Sequence, residues 1–180
     1  SFSKLTGGLP SSGFGRIAIA VAPSLPSTLY ALYVNPDQGL FGLYQSTDSG
    51  GNWSLQSNSP NILSWDGTGT DGQGWYDLVL EVAPDNPGTV YAGGVNLYKS
   101  TSNGTSWTQL TNWFTGTPRP YIHADQHGLT FLPGSSSTFF AGNDGGVFLT
   151  TNSGTNWSDK SAGIATTQFY RLSISATNPS

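Results

Sequence analysis

The sequence predicts an all-β chain built from repeated four-stranded antiparallel sheets, and three observations predict it. A turn motif, S/T-x-(D/S/N)-x-G-x-x-W, begins at Ser46, Ser100 and Thr150, so its copies start 54 and then 50 residues apart. A second marker, an apolar strand ending in a Pro-bearing turn, precedes each copy, in 21–30, 82–91 and 131–140. Short runs of apolar β-formers lie between these Pro- and Gly-rich turns. Two markers repeating in the same order at one interval indicate stacked supersecondary units.

Each position of the turn motif has a physical role. The short polar side chain at the third position accepts hydrogen bonds from nearby backbone N–H groups and closes a tight turn. The glycine two residues later allows a positive φ without steric cost. The tryptophan begins the next strand and packs its ring over the turn. The residues that define the three turns are Ser46, Asp48, Gly50 and Trp53; Ser100, Ser102, Gly104 and Trp107; and Thr150, Asn152, Gly154 and Trp157.

This motif resembles the Asp-box, or BNR, repeat of sialidase-like, sortilin-like and xyloglucanase-like β-propellers. Asp48 keeps the acidic residue of that repeat, whereas Ser102 and Asn152 replace it. The resemblance implies a β-propeller segment of about three and a half four-stranded antiparallel blades with Asp-box turns. It also implies that these turns lie on one face of the propeller and that the connectors between blades lie on the other, here called the top face.

Taken in order, the chain begins with the last strand of a preceding blade at 2–6, followed by a Gly, Ser and Pro connector. Three whole blades follow, and 169–175 is the first strand of another. The first blade, 16–57, has predicted strands at 17–21, 28–34, 40–45 and 53–56. The second blade, 77–110, has them at 77–82, 89–93, 95–99 and 107–110. The third blade, 123–160, has them at 123–132, 138–142, 147–150 and 157–160.

The whole of 1–180 is therefore predicted to be one partial β-propeller. Propellers close with roughly four to eight blades, and an unclosed one leaves sheet faces and edges exposed to water. We expect the remaining blades to come either from the same polypeptide or from another copy of the chain.

Composition excludes some partners and favours a compartment. Charged residues make up 9% of the 180 residues and the net charge is −4, so the clustered basic residues that bind nucleic acid are absent. No apolar run approaches the roughly 20 residues that span a bilayer. Low charge with abundant Ser, Thr, Asn and Gly favours an exported protein, secreted or at the cell surface. The absence of Cys leaves the redox compartment open.

The two long connectors, 57–76 and 111–121, carry aromatic residues on the top face. Exposed rings on loops suit stacking on sugar faces or on another protein. The alternative is that the rings fold back and cover the long loops. The candidate ligand-binding aromatic residues are Trp65, Trp75, Trp113 and Tyr121.

The only two histidines of the chain lie in one short stretch with an aspartate: His123, Asp125 and His127. Alternate residues of an extended strand share a face, so the three side chains are expected to line up where an innermost strand begins. They are candidates for ligand contact and for a divalent metal, since imidazole and carboxylate are metal ligands. A polar network tying adjacent blades is the structural alternative.

The sequence leaves open whether the chain is a binding module or part of an enzyme. A binding or structural module for carbohydrate or protein is the first interpretation. The alternative is part of a glycoside hydrolase, which needs two carboxyl groups across the sugar, with Asp77, Asp125 and Asp144 as candidate catalytic residues. A sialidase fits poorly, because its Arg-Ile-Pro signature reads Arg16-Ile17-Ala18 here. No cofactor motif is present, and the Asp66 to Gly74 insert lacks the spacing of a calcium loop.

Overall fold

The computed structural model describes Leu5 and residues 7–164, and every regular element in this part of the chain is a β-strand. The strands of the first sheet are β1 (Ile17–Val21), β2 (Leu29–Val34), β3 (Leu40–Ser46) and β4 (Ser54–Ser57). Those of the second are β5 (Val79–Val82), β6 (Val90–Gly93), β7 (Leu97–Ser100) and β8 (Thr108–Gln109). Those of the third are β9 (Gln126–Phe131), β10 (Phe139–Asn143), β11 (Gly146–Thr150) and β12 (Ser158–Asp159).

Each sheet is a four-stranded antiparallel meander, in which every strand pairs with the next one along the chain. The second and third sheets repeat this order. The all-β fold and the four-stranded antiparallel units predicted from the repeats are therefore confirmed. The predicted strand at 2–6 lies, except for Leu5, outside the described residues, as does all of that at 169–175.

The three sheets are arranged as propeller blades. β1 packs against β5, and β5 packs against β9, so successive sheets meet through their first strands. Alternate residues of β5 face opposite neighbours: Leu80 belongs to the core between the first and second sheets, and Val79 to the core between the second and third. This two-sided burial is why β5 is apolar at nearly every position, as expected for a strand covered on both faces.

The three repeated turns are closed by equivalent hydrogen bonds. The hydroxyl at the first position accepts a bond of 2.9 Å from the backbone N–H of the motif glycine in each copy, from Gly50, Gly104 and Gly154. The third residue accepts a bond from the backbone N–H four residues later, at 2.8 Å for Asp48 and Asn152 and 3.1 Å for Ser102. A neutral acceptor therefore closes the same turn as the carboxylate.

The second and third turns also pack their glycine against the preceding sheet. A Cβ on Gly104 would stand 2.1 Å from Leu43 Cδ2, and one on Gly154 would stand 2.7 Å from Leu110 Cδ1. The indole N–H of Trp53 and of Trp157 donates to the carbonyl of its own turn glycine, at 3.0 and 3.1 Å. Trp107 departs from this pattern, since its indole N–H donates to Ser57 Oγ of the preceding sheet at 3.0 Å.

One face of the first sheet has no sheet packed on it within the described residues. Ile17, Ile19 and Val21 point away from the second sheet and are 39%, 66% and 48% exposed. The connector at 7–15 covers only part of this face, where Leu9 and Phe14 pack beside Tyr33 and Trp53. The remaining strip of β1 is apolar and has no cover within the described residues. No helix long and apolar enough to cross a bilayer occurs at residues 5 and 7–164.

Candidate functional site

The long connectors lie at the end of the sheets opposite the repeated turns, together with the hairpins that join second and third strands. Asn35 Nδ2 donates to the carbonyl of Thr70 at 2.9 Å, and Asn96 Nδ2 donates to that of Trp65 at 2.9 Å. These bonds join the connector at 58–78 to the hairpins of both the first and the second sheet. This end is the top face of the sheets.

A polar network lies where the three first strands open onto the top face. Asp144, at the tip of the β10–β11 hairpin, accepts a bond of 2.9 Å from the hydroxyl of Tyr76 and one of 2.7 Å from His127 Nε2. The rings of Tyr76 and His127 meet edge to face at 4.8 Å between centroids. Because a carboxylate only accepts, His127 Nε2 carries a proton in this contact. We call Tyr76, His127 and Asp144 the mouth network.

The mouth network borders the axial side of the sheets. A groove of about 320 Å³ runs along the first strands, and its lining includes Arg16, Ile19, Glu81 and His127. Burial raises the pKa of Glu81, the only glutamate of the chain. His127 therefore links the top-face network to this groove, and its side chain is 37% exposed.

Trp75 stands beside the mouth network and is 66% exposed. Its ring centroid lies 5.4 Å from that of Tyr76. The guanidinium of Arg16 donates to the backbone carbonyl of Tyr76 at 2.9 Å and to that of Trp75 at 3.3 Å. The backbone that presents Trp75 is therefore held by the start of β1, while its ring stays open to solvent.

Asp77 and Asp125 form a close carboxyl pair below the mouth network. Asp77 is fully buried, and its carboxyl group is hydrogen-bonded to that of Asp125, so the pair holds a proton on the Asp77 side. Burial, followed by the neighbouring Asp125 carboxylate, raises the pKa of Asp77 to about 8. Burial and then Asp144 also raise the pKa of Asp125. Asp125 Oδ1 accepts a bond of 2.8 Å from the side-chain amide of Gln73.

The prediction that His123, Asp125 and His127 share one strand face is wrong. β9 begins at Gln126, and Asp125 has a left-handed backbone with φ of 65°, which breaks the alternation of an extended chain. The three side chains consequently go to different partners. Asp125 bonds Gln73, His127 bonds Asp144, and His123 packs against Gly145 with Nδ1 3.3 Å from the carbonyl of Ala124.

His123 and Tyr121 instead line a separate cavity of about 360 Å³. It lies between the end of the second connector and the outer strands of the third sheet. The other residues that line it are Gly145, Phe148, Trp157 and Asp159. Two of the candidate ligand-binding residues, Tyr121 and His123, therefore lie at this cavity and not in the mouth network.

The aromatic residues of the connectors form two groups rather than one surface. Trp65 and Trp113 meet edge to face at 6.4 Å, and Trp113 and Phe114 meet in the same way at 5.3 Å. These rings join the two connectors to each other. Trp75 belongs to the mouth network instead, so the two groups offer independent candidate surfaces.

Gln73 and Tyr76 are the residues of this site that sequence reasoning left out of its candidate list. Both precede β5 in a stretch that reads Gln73-Gly74-Trp75-Tyr76-Asp77. The one available signal was the density of polar and aromatic side chains at the end of a connector. Their partners, Asp125 and Asp144, lie 52 and 68 residues away, and no local pattern predicts that separation.

No group of three His, Cys, Asp or Glu side chains able to hold a metal occurs in the described part of the chain. The catalytic candidates differ in access. Asp77 is buried and cannot touch a ligand, whereas Asp144 is partly exposed, with 25% of its side chain accessible. Asp144 is the candidate carboxylate that the mouth presents.

No protein-family model and no curated protein matches the chain, whereas solved structures do. The GH74 xyloglucanase from Xanthomonas campestris is 15% identical over 82% of this chain and 23% of its own, with a TM-score of 0.57. An ancestral GH74 enzyme is 19% identical over 84% of this chain and 19% of its own length, with a TM-score of 0.51. The Niastella koreensis GH74 enzyme is 20% identical over 78% of this chain and 17% of its own length, with a TM-score of 0.48.

This chain therefore spans between 17% and 23% of the length of these three proteins. At such low identity, the two structures with TM-scores above 0.5 show the fold alone, a β-propeller segment. The similarity does not extend to the activity or the site.

Proposed function

We propose that the chain is part of an extracellular carbohydrate-binding β-propeller whose ligand lies over the mouth network. The observation that carries the proposal is the open indole of Trp75 beside Tyr76, His127 and Asp144. The three repeated turns are, in this proposal, Asp-box repeats. The low charge of the chain and the polar composition of its surface favour an exported protein.

The chemistry of the mouth suits a sugar. An exposed indole stacks on the apolar face of a pyranose ring, while fixed polar groups bind its hydroxyls. Asp144 is oriented by two donors and retains lone pairs for a ligand hydroxyl. The Arg16 bonds hold the Trp75 backbone before the ligand arrives, which lowers the entropic cost of binding. A fold shared with a protein named as a xyloglucanase makes β-glucan chains the first ligands to test.

Calorimetric titration with xyloglucan oligosaccharides tests the proposal. We expect Trp75→Ala to weaken binding by at least about tenfold, because stacking on one ring contributes on the order of 1.4 kcal/mol or more. Trp113→Ala is the matched control, since it removes an exposed indole from the other aromatic group. Loss of binding in Trp113→Ala with normal binding in Trp75→Ala would place the ligand on the group of Trp65, Trp113 and Phe114 instead. Binding of a protein partner and of no glycan would reject the carbohydrate ligand.

A second candidate function is part of a glycoside hydrolase. Asp144 favours it, because this accessible carboxylate is held by His127 and Tyr76 at an open mouth, as a general base that activates water needs to be. Asp77 does not qualify as its acid partner, since burial keeps it from the ligand. The second carboxyl would then come from Asp125 or from blades outside this chain.

Turnover of a glycan panel by wild type and Asp144→Asn separates the two functions. The hydrolase predicts turnover in wild type and a loss of at least about a hundredfold in the variant, since general base catalysis contributes that much. The binding module predicts no turnover in either protein and weaker oligosaccharide binding in the variant.

A further inference from the structure

The cavity lined by Tyr121, His123 and Asp159, here called the outer cavity, has no part in the proposed carbohydrate site. Its volume is about 360 Å³, and it lies between the end of the second connector and the outer strands of the third sheet. Pockets that hold small ligands begin at roughly 300 Å³. The outer cavity is therefore large enough for a small ligand of its own.

Aromatic rings from three segments of the chain line the outer cavity. Phe148 lies in β11 and Trp157 just before β12, and both pack in the core between the second and third sheets. Tyr121, at the end of the second connector, is 43% exposed. The indole N–H of Trp157 already donates to the carbonyl of Gly154, so Trp157 offers its ring and not a donor. The face of an aromatic ring carries a negative potential that attracts cations.

Asp159 adds a carboxylate to the same lining. It pairs with Phe148 across β11 and β12, so the two side chains point to the same face of the sheet. The hydroxyl of Ser161, followed by its backbone N–H at 2.7 Å, lowers the pKa of Asp159, which keeps the carboxyl group ionised at neutral pH. The one ion pair in the described part of the chain is His127 with Asp144. Asp159 therefore has no cationic partner there.

The repeat explains why a cavity remains at this place. The residues one repeat of 50 residues before Phe148, Trp157 and Asp159 are Tyr98, Trp107 and Gln109. The first connector adds two fully buried apolar side chains, Ile62 and Leu63, to the core that contains Tyr98. The second connector and the residues that follow it add one such side chain, Ile122, to the core that contains Phe148. The space between the second and third sheets is therefore less completely filled.

We propose that the outer cavity binds a small organic cation of the quaternary ammonium class. Aromatic faces and a carboxylate together are the groups that attract such a cation. The described lining includes no Lys or Arg that would repel it. Gln109, one repeat earlier, is neutral where Asp159 is charged, so the charge is particular to this cavity. The site is separate from the mouth network and does not depend on the carbohydrate ligand.

Calorimetric titration of the protein with choline tests the outer cavity. The buffer is held at about pH 7.5, where an imidazole is largely neutral. We expect wild type to bind choline. The tert-butyl analogue of choline, in which carbon replaces the charged nitrogen, should bind at least about fivefold more weakly, because it keeps the shape and loses the charge.

Two substitutions in the lining should weaken choline binding by about threefold or more. Asp159→Asn removes the charge, while its amide oxygen still accepts the bond from the backbone N–H of Ser161. Tyr121→Leu removes an aromatic face, and Tyr121→Phe, which keeps the ring, should bind choline like wild type. Recovery in the Phe variant separates the role of the ring from a general effect on the fold.

Two matched controls should bind choline like wild type. Asp85→Asn removes an exposed carboxylate from the turn between β5 and β6, and Phe114→Leu removes an exposed ring from the second connector outside the cavity. Equal binding of choline and its neutral analogue, or no choline binding to wild type, would overturn the proposal. Normal binding in Asp159→Asn and Tyr121→Leu would also overturn it. Loss of choline binding in Trp75→Ala would move the cation to the mouth network instead.

Discussion

Asp48 is the one carboxylate in the three repeated turns, and its hydrogen bonds favour the ionised form. It accepts bonds from the backbone N–H of Asn52 at 2.8 Å, the amide of Asn52 at 2.7 Å and the hydroxyl of Ser46 at 2.8 Å. These bonds, led by the backbone N–H of Asn52, lower the pKa of Asp48 to about 2 from 3.8. The folded state therefore binds this proton more weakly than the unfolded chain does.

A lowered carboxyl pKa stabilises the fold above the unfolded-state pKa and ceases to do so as pH falls through the folded-state value. For Asp48 that window runs from about pH 4 to about pH 2. We expect Asp48→Asn to lose less stability than wild type across this window, measured by urea unfolding at each pH. Asn152 shows that an amide closes the same turn, and Asn152→Ser is a control without charge. Equal acid dependence in wild type and Asp48→Asn would contradict this interpretation of the turn.

Single residues also show where sequence reasoning fails. The residue types at the mouth were predicted, since Trp75, Asp125, His127 and Asp144 were all candidates. The left-handed backbone at Asp125 could not be predicted from the sequence. It turns the side chains of His123, Asp125 and His127 toward different partners. A non-glycine residue with positive φ is uncommon and depends on its surroundings, so periodicity alone does not predict it.

The strands, in contrast, were predictable because their signals are local. β1 begins and ends as expected, and most other strands differ from prediction by one or two residues at an end. β9 is the exception, since it was expected from His123 and begins at Gln126. The repeated turns were equally local, because hydroxyl, acceptor and glycine lie within a few residues of one another. Packing between sheets, such as the hydrogen bond from Trp107 to Ser57, could not be predicted because it joins residues far apart in the sequence.

Packing between sheets gives an element-level test with two equivalent glycines. Gly50 and Gly104 have φ of 90° and 83°, so alanine is strained at both by about 1–2 kcal/mol. Only Gly104 also lies against the buried Leu43: an added Cβ would stand 2.1 Å from Leu43 Cδ2, whereas one on Gly50 would meet no atom nearer than 3.8 Å. We expect Gly104→Ala to lower the free energy of unfolding by about 1–3 kcal/mol more than Gly50→Ala. Equal losses in urea titrations would mean that the turn does not pack on the preceding sheet.

At the level of the whole molecule, the open strip of β1 is the surface through which we expect the chain to associate. Its counterparts inside the fold, such as Leu80 and Val79, are covered by the preceding and the following sheet, respectively, and are 7% and 5% exposed. Ile19, at 66%, has no such cover in the described residues. We propose that further blades, of the same polypeptide or of another copy, pack on this strip as β1 packs on β5.

We expect the 180-residue chain to self-associate through this strip and Ile19→Glu to shift it toward monomer, because a buried unpaired charge disfavours the contact. Sedimentation velocity measures the change. Thr115→Glu adds the same charge on an exposed connector and should leave association as in wild type. If both variants associate equally, another surface mediates the contact.

The proposed ligand site is tested most directly by a crystal structure of the protein with a bound xyloglucan oligosaccharide. We predict a sugar ring stacked on Trp75, with one of its hydroxyls within hydrogen-bond distance of Asp144. A sugar seated on Trp65 and Trp113, with the mouth network left free, would contradict the assignment of the mouth as the binding site.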